Sequence, residues 1–77
     1  MIFETIQEII SKQLGIDKKT IKPESNLLHD LDADSIEAVE IIMSIEDEYG
    51  VEIPESAIED IVTVQDLVDF IEGHIEQ

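Results

Sequence analysis

Apolar positions near the start of the chain recur at intervals of three and four: Ile2, Phe3, Ile6, Ile9, Ile10 and Leu14. At about 100° per residue they fall on one side of a helix, so the spacing predicts an amphipathic helix over residues 2–14. Gly15 follows directly and supplies its stop. Residues 16–33 hold no sustained period and carry Pro23, Ser25 and Asn26, which predicts a long loop. A loop of that length needs anchors, and Ile16, Ile21, Leu27, Leu28 and Leu31 are placed to pin it to the core. Helical period resumes from about Ile36 to Tyr49, with Gly50 as the stop, and Pro54 opens a short helix near residues 56–61. Thr63, with Asp66 three residues on, has the spacing of a capping arrangement for a last helix, whose buried stripe is Val64, Leu67, Val68, Ile71 and Ile75. Val51-Glu52-Ile53 is too short to compete as a strand. The prediction is one all-α domain over residues 1–77, a four-helix bundle with one short helix and a long first loop.

The second helix differs from the others in being apolar on two sides. Ala38, Ile41, Ile42, Ile45 and Tyr49 share one face, while Ile36, Val39 and Met43 lie opposite with Glu40 and Asp47 among them. Two stripes mean either burial on both sides or an exposed stripe reserved for a partner. Only three other helices are available to cover this one, and acids interrupt the second stripe. Both points favour a docking face.

At the start of that helix stands Asp30-Leu31-Asp32-Ala33-Asp34-Ser35-Ile36-Glu37. Asp34 and Glu37 have the spacing of a capping box, which would place Ser35 in the first turn with its hydroxyl not needed as a cap. Serine is itself a common N-cap, so Ser35 can also be read in that role. No histidine or lysine adjoins Ser35 to make it a nucleophile. The unpaired N–H groups of a helix start suit a phosphate, so the position fits an attachment point better than a catalyst.

Charge narrows the range of partners. Twenty acids face four lysines and no arginine, for a formal net charge of -16. Nucleic acid and anionic membranes are disfavoured, and basic protein surfaces are favoured. All the lysines (Lys12, Lys18, Lys19, Lys22) lie in the first third, whereas residues 30–60 hold twelve acids and no Lys or Arg. A hydrophobic content of 43% with clear periodicity argues against the disorder that such acidity often brings. The chain has no cysteine, and so neither disulfides nor thiolate metal sites. No apolar run approaches the roughly 20 residues of a membrane span, and the start of the chain has no signal-like segment, so a cytoplasmic protein is expected.

Other chemistries find little support. Asp30, Asp32 and Asp34 match the first ligand spacings of a calcium loop, but Ser35 stands where that loop needs Gly and Ile41 where it needs Glu. His29 and His74 are isolated in sequence, and His74 suits the end of the last helix. Neither a metal site nor a catalytic group is expected.

The stretch from Asp30 to Met43 resembles the acyl carrier proteins, and the likeness continues through Glu46-Asp47-Glu48-Tyr49, Val51-Glu52-Ile53-Pro54 and Thr63-Val64-Gln65-Asp66-Leu67. It includes the long first loop with Ile21-Lys22-Pro23-Glu24-Ser25. The chain departs from the family pattern at Asp32, usually Gly, and at Ile36, usually Leu. The resemblance implies that a phosphopantetheinyl transferase attaches 4′-phosphopantetheine, taken from coenzyme A, to Ser35 beside the acidic Asp34. It also implies a partner surface in which Ile36, Val39 and Met43 supply apolar contact. Glu37, Glu40, Glu46 and Asp47 would steer that surface toward basic patches on enzymes. The expected function is a monomeric, non-catalytic carrier of acyl thioesters in dissociated fatty-acid synthesis. The alternatives are a dedicated carrier of a specialised polyketide or peptide pathway, and an unmodified acidic helical adaptor.

The charge pattern generates a prediction about stability. Twelve acids without a cation raise the free energy of the compact state, and salt screens that repulsion over about 10 Å at 0.1 M. Thermal midpoints are expected to rise with sodium chloride and further with millimolar magnesium or calcium. A midpoint indifferent to both would mean that the charges are already dispersed.

Overall fold

The computed structural model describes residues 2–27, 29–31 and 33–75. Leu28, expected to pin the loop, and Asp32, a departure from the family pattern, lie outside them. Helix α1 spans Ile2–Leu14, α2 Ser35–Tyr49, α3 Glu55–Asp60 and α4 Val64–His74, with a single 3-10 turn at Lys18–Thr20. The predicted order of helices is therefore the observed one. The 3-10 turn is an addition that hydrophobic period could not reveal, because three polar residues carry no phase.

Helix α1 is the central packing element and lies against both α2 and α4. Ile6 and Ile10 are fully buried along its inner stripe, and they meet Ile41 and Ile45 of α2 and Leu67 and Ile71 of α4 in one core. Gly15 ends α1 at φ +67°, a left-handed conformation that glycine adopts without steric cost. Its N–H donates to the Ser11 carbonyl at 2.9 Å, and the Ser11 hydroxyl donates to the Ile16 carbonyl at 2.6 Å. Gly50 ends α2 in the same way, at φ +65°.

The long loop is held by hydrogen bonds as well as by apolar anchors. Ile21, Leu27 and Leu31 are buried as expected, Ile16 is half-buried, and Ala33 is buried too. Gln7 of α1 reaches across to donate to the carbonyls of Lys18 and Ile21, both at 2.8 Å. At its far end the loop forms an isolated antiparallel bridge, Asn26 to Thr63. Leu27 N–H donates to the Val62 carbonyl at 3.1 Å, Val64 N–H to Ser25 at 3.1 Å and Gln65 N–H to Pro23 at 2.8 Å. These bonds join the loop to the α3–α4 junction, and the helical reading had not foreseen them.

Helix α4 begins with the predicted capping box. Asp66 N–H donates to the Thr63 hydroxyl at 3.2 Å, and the Asp66 carboxylate accepts from Thr63 N–H at 3.0 Å and from Val62 N–H at 2.9 Å. Those backbone donors, Thr63 first, hold the Asp66 carboxyl below the ordinary carboxylate range. The resulting stability is present above that range and is lost as pH falls through the lowered value. At the other end of α4, His74 Nδ1 lies 2.7 Å from the Phe70 carbonyl and its ring stacks on Phe70 at 4.0 Å.

Helix α3 is the least anchored of the four. It has six residues, its N-cap Pro54 makes no side-chain capping bond, and none of its residues is fully buried. Ala57 and Ile58, with Ile61 just beyond, pack half-buried against the core. It begins one residue before the predicted start and ends one before the predicted end.

The two faces of α2 separate as its phase requires. Ile41, Ile42 and Ile45 are buried, whereas Ile36, Val39 and Met43 are 68%, 50% and 57% exposed. Ile45→Ala is therefore expected to cost about 2–5 kcal/mol of stability, and Met43→Ala about 0.5 kcal/mol or less. Equal losses in denaturant titrations would make the outer stripe part of the core.

The α2 cap gives a second contrast. Glu37 N–H donates to Asp34 Oδ1 at 2.8 Å and Asp34 N–H to Glu37 Oε1 at 3.2 Å, so the box forms and Asp34, not Ser35, is the cap. Asp34→Ala should cost about 1 kcal/mol, and Ser35→Ala less than about 0.5 kcal/mol. The same denaturant titrations check this, and the reverse ranking would return the cap to Ser35.

Candidate attachment site and docking face

With Asp34 as cap, Ser35 becomes the first residue of α2. Its side chain is exposed and makes no hydrogen bond among the described residues. At about 100° per residue, Ser35 falls between the buried stripe that contains Ile42 and the exposed stripe that contains Val39. A cleft opens along that boundary. It has a volume of about 410 Å³ and is lined from α2 by Ser35, Ala38, Val39 and Ile42. Its other walls are Asn26, Leu27 and His29 of the long loop, and Ile58, Glu59, Ile61 and Val62 of α3 and the segment after it. The lining is mostly aliphatic with a few polar groups at the rim, which suits an apolar chain with a polar root.

A larger hollow of about 550 Å³ lies where the start of α1 meets the ends of α2 and α4, lined among others by Ile2, Phe3, Tyr49 and Ile75. It is the more open of the two and touches neither Ser35 nor the start of α2. The smaller cleft is the one that bears on the chemistry.

The residues expected on a partner surface divide by environment. Ile36, Val39 and Met43 are exposed, as are Glu40 and Asp47. Glu40 accepts from Gln13 Nε2 at 2.7 Å, which ties the end of α1 to the middle of α2. Glu37 is half-buried and engaged in the capping box. Glu46 is also half-buried, and its Oε2 accepts from Ile53 N–H at 2.7 Å. It therefore anchors the α2–α3 connection in addition to any outward role. No sequence signal distinguished it from Asp47 beside it.

Among the described residues no three acidic or histidine side chains converge to hold a metal ion. No helix of the described residues is long and apolar enough to cross a membrane. What remains is an unengaged hydroxyl at a helix start, next to an apolar cleft and an acidic face with an apolar row.

The sequence is similar to those of known proteins. The family model described as the phosphopantetheine attachment site matches residues 4–71. An acyl carrier protein of Clostridium acetobutylicum is 44% identical over 77 residues, covering all of both chains. One from Guillardia theta is 49% identical over 70 residues, 91% of this chain and 86% of that protein. One from Cyanidioschyzon merolae is 45% identical over 73 residues, 95% of this chain and 80% of that protein. The match spans all four helices, and the chain belongs to the phosphopantetheine-bearing acyl carrier proteins.

Proposed function

We propose that Ser35 is the residue that bears the covalent 4′-phosphopantetheine, and that residues 1–77 form one carrier domain. The observation that carries this reading is the Ser35 hydroxyl, exposed, without a hydrogen bond among the described residues, and set on the wall of a mostly aliphatic cleft. The group fits the residues present, because the hydroxyl is free to be esterified without loss of the helix cap. When bound, the arm supplies a terminal thiol that carries acyl groups as thioesters, in a chain that has no cysteine of its own. The cleft walls, Val39, Ile42, Ile58 and Ile61 among them, offer cover to the acyl chain.

The chain itself acts as a carrier, not a catalyst. Ile36, Val39 and Met43 form the apolar part of a docking face for the phosphopantetheinyl transferase and for enzymes that work on the thioester. Glu40 and Asp47, with Glu37 and Glu46 behind them, draw that face toward basic patches. The contacts must be weak, because the carrier leaves each enzyme for the next. Charge steering gives fast encounter without slow release. We assign the carrier to dissociated fatty-acid synthesis, as a cytoplasmic monomer. Full-length similarity to free-standing acyl carrier proteins supports this over a specialised polyketide or peptide pathway.

Incubation with coenzyme A and a permissive transferase should add one phosphopantetheine by intact mass, and Ser35→Ala should abolish the gain. Modification that persists in Ser35→Ala would move the site elsewhere, and no gain in the wild type would favour an unmodified adaptor. Met43→Ala and Glu40→Lys should keep the fold and slow the transfer severalfold, one by loss of apolar contact and the other by reversal of a steering charge.

A further inference from the structure

Between Lys22 and His74 the chain contains one side chain able to carry a positive charge, His29. Nothing in the sequence links His29 to Ser35, yet the fold sets both on the wall of one cleft. His29 is exposed, and its N–H donates to Asn26 Oδ1 at 3.0 Å. The Asn26 N–H in turn donates to Asp30 Oδ2 at 2.8 Å, and Ala33 N–H donates to the Leu27 carbonyl at 3.1 Å. These bonds hold the loop backbone on either side of His29 and lead directly into the start of α2. No hydrogen bond within the protein engages its imidazole among the described residues.

We propose that His29 is the positioning residue for the phosphodiester at the root of the arm. Its protonated ring pairs with a phosphate oxygen and keeps that root against the mouth of the cleft. The proposal rests on Ser35 bearing the arm. Its physical basis is the sign of the other charges nearby among the described residues. Glu59 lines the cleft from α3, Asp30 is next to His29 on the loop, and Asp34 and Glu37 stand at the start of α2. All of them repel a phosphodiester anion, so without a cation the root is driven outward. Asp30, Asp34 and Glu37 each accept a backbone N–H through one oxygen and keep the other, so with Glu59 they are the described carboxylates that compete for the ring. Between exposed groups such a pairing is weak and screened by salt, which suits an arm that must also swing free.

The test uses holo protein whose Ser35 modification has been verified by mass. A phosphodiester has no further proton to lose near neutrality, so its phosphorus NMR signal moves there only if a neighbour changes charge. Between about pH 5 and 8, where imidazoles as a class change charge, the wild-type signal should follow a single sigmoid. His29→Gln should flatten it, His29→Lys should give an offset signal without the sigmoid, and Glu59→Gln should keep it. A flat wild-type signal, or an equal sigmoid in His29→Gln, would overturn the assignment. Absence of the mass gain would instead count against Ser35 as the attachment site.

Discussion

The reciprocal cap between Asp34 and Glu37 is the interaction on which the rest of the functional end depends. It satisfies two of the backbone donors that a helix start leaves unpaired, and it fixes where α2 begins. Two consequences follow from that start point. Ser35 is relieved of the capping role that serines so often fill, so its hydroxyl is available for chemistry. The phase of the helix is also set, which turns Ile41, Ile42 and Ile45 inward and Ile36, Val39 and Met43 outward. One residue is about 100° of turn, so a slip of that size would move both stripes off their faces.

Anchoring is uneven across the domain, and the pattern suits a carrier. Helix α1 binds α2 and α4 together through fully buried isoleucines, and the capped ends of α2 and α4 are closed by paired hydrogen bonds. Helix α3 has no such cap and no fully buried side chain. It nevertheless forms one wall of the cleft, along with the segment that follows it. Of the helices that line the cleft, α3 is thus the one least tied to the core. Its two ends are held by Glu46 at Ile53 and by the loop bridge at Thr63.

The surplus of acid has a cost and a use in the same place. Carboxylates crowded along residues 30–60 repel one another, yet they make one face of a small protein attractive to any basic surface. An apolar row within that face adds contact area without the commitment of a buried interface. On such a surface a single imidazole is conspicuous because it is the exception in sign.

Most of what depends on neighbours along the chain was legible in the order of residues, the 3-10 turn at Lys18–Thr20 excepted. The spacing of aliphatic residues defined the faces of α1, α2 and α4. Gly15 and Gly50 marked the left-handed stops, and the Thr63–Asp66 spacing marked the α4 cap. Each of these is a contact over four residues or fewer, so its pattern is written locally. Serine or aspartate as the α2 cap could not be separated by spacing, because both residue types form the same bond; the folded backbone decided for Asp34. Only the tertiary structure could join Asn26 to Thr63, bring Glu46 under Ile53, or set His29 and Ile58 beside Ser35 around one cleft. Those contacts arise when α1 gathers the other helices and the long loop closes over their ends. They join residues with no common period, and so they leave no trace in the order of amino acids.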